Sequence, residues 1–168
     1  WLHEQGYGVF MPDQIGFGKS SKPTDYQYSF AGLANNTQAV MKSLGIKKTI
    51  LVGHSMGGKV AMQVALQAPD RVEKIVVADI APVSYKPRHD AILEGLKSLD
   101  LQNARTRQDA DKFLTEFVEM PSTRQFLLKN LERVPREQQE EGGAVFRWRL
   151  NLPVIEACYG NLAMAPEG

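Results

Sequence analysis

The sequence has 168 residues, 43% of them hydrophobic and 23% charged, which is enough apolar chain for a packed domain and excludes a disordered segment. Its 20 basic and 19 acidic residues leave a net charge of +1, so no strong field for nucleic acid or an anionic membrane is expected. The single cysteine, Cys158, excludes an intrachain disulfide, and no apolar run reaches the ~18 residues of a membrane span.

In chain order, His3 falls in a short helix, and Val9-Phe10-Met11 reads as a buried strand that ends in a loop at Pro12-Asp13. Residues 14–23 are rich in glycine and serine and should be irregular. Asp13 is expected to anchor Gly16-Phe17-Gly18 through backbone N–H groups. Ser29 is a helix N-cap; Phe30, Leu33, Ala34, Val40, Met41 and Leu44 then recur at helical spacing, and Gly45 suits the stop. Thr49-Ile50-Leu51-Val52 is apolar on both alternating faces, as in a parallel strand covered by helices on both sides. Residues 59–68 are helical and apolar nearly all round, hence deeply buried. Ile75-Val76-Val77-Ala78 is a further buried strand, closed by Asp79. This alternation predicts a parallel sheet with right-handed crossovers.

After Pro87 the pattern changes. Residues 88–99, 107–119 and 122–133 read as amphipathic helices. Arg105 to Arg107 is a solvated helix start. Residues 138–143 are a polar break, 144–150 a short strand and 152–162 a final helix. The expected organisation is a partial core over residues 1–86 and a helical insertion over residues 87–168. Phe113, Phe117, Phe126 and Trp148 read as core first, with pocket lining as the alternative.

The segment Gly53-His54-Ser55-Met56-Gly57-Gly58 fits a nucleophile elbow, Gly-x-Ser-x-Gly, between a buried strand and a buried helix. Such a turn is sharp and strained. Gly53 and Gly57 let strand and helix pack closely around it. The Ser55 hydroxyl then stands above the C-terminal edge of the sheet, where open α/β sheets place ligands. The new helix directs its positive end at the serine, and the Met56 N–H is one expected oxyanion-hole donor. Asp79, at the end of the following strand, either orients a histidine base or caps the turn into Ile80-Ala81-Pro82; the first reading is preferred. His54 adjoins the serine, but neighbours on a tight elbow point apart, so it reads as structural. His89 reads as a solvated or capping residue. Cys158 lacks an activating neighbourhood and reads as packed. No His, Cys, Asp and Glu cluster has metal-ligand spacing.

Residues 10–20, 53–58 and 79–83 resemble the α/β-hydrolase superfamily. The run from Gly53 to Met62, followed by Ala78-Asp79-Ile80-Ala81-Pro82-Val83, is similar to the small YbfF-type bacterial esterases and their abhydrolase-domain relatives. Residues 124–131 and 146–152 resemble their cap region. The loop from Gln14 to Pro23 instead resembles serine-dependent carbon–carbon bond hydrolases of aromatic degradation. The resemblance implies a parallel sheet flanked by helices, a helical cap, and hydrolysis of small carboxylic esters, short-chain first and thioesters as an option. It implies no cofactor, Ser55 as nucleophile, Met56 as oxyanion donor and Asp79 as a candidate acid. It disfavours chemistry that needs an aspartate at the elbow. The family's histidine follows its last strand and the second oxyanion donor precedes Trp1. The chain is therefore expected to be an internal fragment that lacks the N- and C-terminal strands and is poorly active alone. Cytoplasm is the default location and the oligomeric state is open. A non-catalytic binding protein on the same fold is the rival outside enzymes.

Overall fold

The half of the chain that carries the serine is organised around one parallel strand pair. The structure is a computed structural model and describes residues 1–167. Helix α1, Phe30–Ser43, starts where extended Ser29 accepts the Gly32 N–H on its hydroxyl at 3.1 Å, and it ends before Gly45 at φ 69°. Strand β1 is Thr49–His54, helix α2 is Met56–Gln67, and strand β2 is Val72–Ala78. The two strands run parallel, in register from Ile50 against Lys74 to His54 against Ala78, and α2 makes the crossover. Helix α2 packs on both strands and α1 packs on α2. Tyr28, Phe30, Leu33, Val60 and Val64 form the buried cluster behind them.

Two expectations fail here, for one reason. Burial of β1 and β2 on both faces is not seen: Val52 and Val76, paired across the strands, are 70% and 51% exposed. Leu51 and Gly53 lie on the face that α2 covers, and the opposite face is open. Residues 9–11 form no strand, and Val9, Phe10 and Met11 are exposed. A strand is held by a hydrogen-bonded neighbour, and among the described residues none pairs with this segment. His3 lies in a single 3-10 turn, His3–Gln5.

The second half is helical, as its periodicity predicts, with shorter elements. Helices α3 (Asp90–Ser98), α4 (Arg107–Leu114) and α5 (Pro121–Leu128) precede a small antiparallel pair, β3 (Leu131–Arg133) with β4 (Phe146–Trp148). The expected last helix is two pieces, α6 (Leu152–Ala157) and α7 (Tyr159–Ala163), broken at Cys158. Arg107 is not simply solvated: its guanidinium donates to the carbonyl oxygens of Leu128 and Leu131, tying α4 to the end of α5. Leu96, Leu114, Leu128, Leu131 and Phe146 centre a separate core, with Phe113 and Trp148 packed against it. Phe117 lies against Gly95, while Phe126 is exposed. Ile155 and Cys158 belong instead to the cluster of the first half, so α6 and α7 lean on α1 and α2.

Candidate active site

Ser55 alone makes the turn between β1 and α2, at φ 51° and ψ −122°. A non-glycine residue there costs of order 1–3 kcal/mol and persists only where its surroundings impose it. Backbone hydrogen bonds impose it on both sides. The Ser55 N–H donates to the Ala78 carbonyl at 2.9 Å, which ties the elbow to the end of β2. The Ser55 carbonyl accepts from the N–H groups of Gly58 at 2.8 Å and Lys59 at 3.3 Å, which starts α2. Met56 is the first residue of that helix, where N–H groups lack an intrahelical acceptor and the helix dipole is positive.

Glycines admit this geometry. A Cβ on Gly53 would lie 2.2 Å from the Gly57 carbonyl oxygen, so strand and helix touch through backbone alone. Motif spacing points to Gly57 as the partner glycine. The structure places the second close approach one residue later: a Cβ on Gly58 would meet Ile80 Cγ2 at 2.6 Å, whereas one on Gly57 meets nothing within 4 Å.

Asp79 follows β2 directly and is the second non-glycine residue at positive φ, 57°. Since His54 pairs with Ala78, Ser55 and Asp79 leave corresponding ends of neighbouring strands. His54, expected to be structural, points out beside that carboxylate. Its Nε2 is 3.7 Å from Asp79 Oδ2, and the two side chains are 74% and 87% exposed. A pair this exposed contributes little to stability.

Asp13 anchors its loop as expected: its carboxylate accepts the Lys19 N–H at 2.8 Å, and its carbonyl accepts the Ser20 hydroxyl at 2.7 Å. Phe17, from that loop, meets Tyr28 edge to face and joins Met56 in one cluster. Burial raises the Tyr28 phenol above the usual tyrosine range, so it stays neutral and donates or accepts as a hydroxyl. Cys158 is buried and free, 3.8 Å from the Gln27 amide oxygen, consistent with packing. His89 Nδ1 meets the Tyr159 hydroxyl at 2.6 Å.

Two buried polar residues of α2 are not legible in the sequence. Lys59 is 2% exposed. Its ammonium donates to the carbonyl oxygens of Ala163, at 3.3 Å, and Met164, and lies over the rings of Phe30 and Tyr85. Burial lowers its pKa below the usual lysine value. Gln63 is also buried and pairs twice with the backbone of Glu167, at 2.7 and 2.8 Å.

Two cavities lie away from the serine. One of about 390 Å³ is lined by Leu96, Leu99, Trp148 and Leu152, among others. Another of about 540 Å³ is lined by Lys19, Lys22, Glu132, Arg147 and Arg149. Among the described residues there is no cluster of three potential metal ligands, and no helix is long and apolar enough to cross a membrane.

The chain is 37% identical to the sn-1-specific diacylglycerol lipase ABHD11 of Mus musculus, over 99% of the chain and 53% of that protein. It is 34% identical to esterase YbfF of Escherichia coli (strain K12), over 89% of the chain and 54% of that protein. A solved marine microorganism esterase superposes with a TM-score of 0.81 at 34% identity, covering 93% of the chain and 59% of the esterase. The chain thus spans about half the length of the curated relatives it matches. The profile described as alpha/beta hydrolase fold matches residues 2–151, and with the strained serine turn between β1 and α2 it shows that the chain belongs to that family.

Proposed function

We propose that the protein carrying this chain is a serine hydrolase of small carboxylic esters. The observation that carries the reading is the backbone of Ser55, held at positive φ between a strand end and a helix start. Strain of that kind clusters at functional residues. The relatives named as esterases and a lipase support the reaction class.

In this reading the Ser55 oxygen attacks the acyl carbon and its proton passes to a histidine base. The base is expected from outside the described residues. Negative charge on the former carbonyl oxygen is met by the Met56 N–H and the start of α2. Asp79, one strand over, holds the imidazole in the right tautomer. The protonated imidazole then returns the proton to the leaving alcohol. Water repeats the sequence on the acyl-enzyme and releases the acid. The chemistry needs no cofactor. Residues 1–86 are the core and residues 87–168 the cap that roofs the serine and selects among short-chain esters or thioesters.

Intact mass after treatment with a fluorophosphonate tests the nucleophile in the full-length protein. One adduct is expected on the wild type and none on Ser55→Ala, with ester turnover reduced by about 10⁴-fold or more. A folded wild type that takes no adduct overturns the proposal in favour of a binding role. The loop resemblance at Gly16 to Pro23 supports a second reading, carbon–carbon bond hydrolysis. Product analysis on a vinylogous diketone beside an ester separates the two.

A further inference from the structure

Lys59 stands four residues after Ser55, in the first turns of α2, and carries a charge into the interior. An ammonium taken out of water is costly unless its partners replace the lost hydration. Among the described residues no carboxylate does so. The partners are the carbonyls of Ala163 and Met164 and the faces of Phe30, at 5.2 Å, and Tyr85, at 4.8 Å. All four lie outside α2, and the carbonyls are more than a hundred residues along the chain.

Three of them, Tyr85, Ala163 and Met164, sit where the chain passes into the helical half and out of it. The two passes run side by side: the Tyr85 N–H donates to the Ala163 carbonyl at 2.8 Å, and the Ala165 N–H donates to Ser84 Oγ at 2.9 Å. One helical turn beyond Lys59, Gln63 reads both backbone groups of Glu167. A two-stranded neck is therefore laid along the helix that begins at the nucleophile. An apolar side chain at position 59 would fill the same space without the desolvation cost. Only a directional donor also fixes the register of residues 163–167 on α2.

We infer that Lys59 is a positioning residue whose ammonium fastens the neck of the cap to the nucleophile helix and so sets how the cap stands over Ser55. The inference rests on the ester hydrolase reading for its effect on substrates, and on geometry alone for the clamp. Burial, which lowers the pKa of this amine, shows that the position is held against its preference for water.

The test uses the full-length protein with Lys59→Met, Lys59→Arg and Gln63→Ala. Amide hydrogen exchange reads the clamp without any chemistry. At Ala165 and Glu167 it should speed by about tenfold in Lys59→Met, the scale of one lost hydrogen bond to a charged group, and return towards wild type in Lys59→Arg. Gln63→Ala should move the same amides in the same direction, and it carries the test if Lys59→Met does not fold. For a series of p-nitrophenyl esters, KM for the octanoate should rise about tenfold in Lys59→Met, while kcat for the acetate and the rate of fluorophosphonate labelling stay within about twofold. Unchanged exchange at Ala165 and Glu167 overturns the clamp, as does an equal loss of kcat and labelling across all esters, which would place Lys59 on the nucleophile turn itself. If the exchange pattern holds but Ser55 takes no label even in wild type, the ester reading fails and the clamp stands.

Discussion

The turn at Ser55 depends on places where a hydrogen atom stands in for a side chain. A methyl group on Gly53 collides with backbone, the Gly57 carbonyl at 2.2 Å, and cannot be relieved by a rotamer change. One on Gly58 collides with the tips of Ile80 and Val77, which can shift. One on Gly57 meets open space inside a helix, where alanine is the better residue. Urea unfolding of the full-length protein should therefore rank the alanine variants. Gly53→Ala should lose about 3 kcal/mol or more, Gly58→Ala about 1–2 kcal/mol, and Gly57→Ala nothing measurable or a gain of up to about 1 kcal/mol. Equal losses at Gly57 and Gly53 would contradict the contact geometry. Ser55 and Asp79 add a second residue-scale device. Each adopts positive φ just past the end of a strand, and the hydrogen bond from Ser55 to Ala78 keeps the two ends level.

Elements begin and end here for local reasons, which is why many were legible. Helix α4 opens on a capping box: the Thr106 hydroxyl accepts the Asp109 N–H at 3.1 Å, and the Asp109 carboxylate accepts the Thr106 N–H at 2.8 Å. Thr106→Ala should lower stability by about 1 kcal/mol in urea unfolding at neutral pH. The bonds from Thr106, backbone first and then side chain, lower the Asp109 pKa below 3.8. A depressed carboxylate stabilises the fold above its unfolded value and loses that contribution as pH falls through its folded value. The advantage of wild type over Asp109→Asn should accordingly be full above pH 3.8 and vanish below the folded pKa. An advantage that persists in stronger acid would show that the carboxylate charge is not the cause. Ser29, Gly45 and the strand–serine–helix passage were readable because each signal lies within a few residues of its effect. The apolar run at residues 9–11 misled because side chains report a wish for burial, whereas a strand also needs a neighbour. Lys59 and Gln63 were opaque because their partners, Ala163, Met164 and Glu167, are about a hundred residues distant. A lysine in an apolar helix otherwise reads as one that reaches out to water. The elbow's third glycine stood in plain view, but only packing shows that Gly58 rather than Gly57 meets its neighbour.

For the molecule as a whole, the open face of the strand pair is the feature with the largest reach. Val52 and Val76 present apolar surface beside strand edges that pair with no other strand among the described residues, the combination that templates association. The 168-residue polypeptide made alone should associate as its concentration rises in sedimentation, and Val52→Lys should shift it towards monomer. On the proposed mechanism, with its base outside the described residues, its ester turnover should fall at least about 10³-fold below that of the full-length protein. A monomeric and fully active polypeptide would contradict both expectations.

The neck has a consequence of a different order. A long excursion of chain carries a closure entropy that grows only slowly with its length, and that cost falls on the joint where its ends meet. Here the ends meet in two hydrogen bonds, Tyr85 to Ala163 and Ala165 to Ser84, clasped against α2. The stretch from α3 to β4, which packs mainly on its own core, can lengthen, shorten or be exchanged without the joint, or the turn at Ser55, being solved again. That stretch is in this sense a replaceable cassette. A lineage with such a joint can trade that stretch while Ser55 stays where it is.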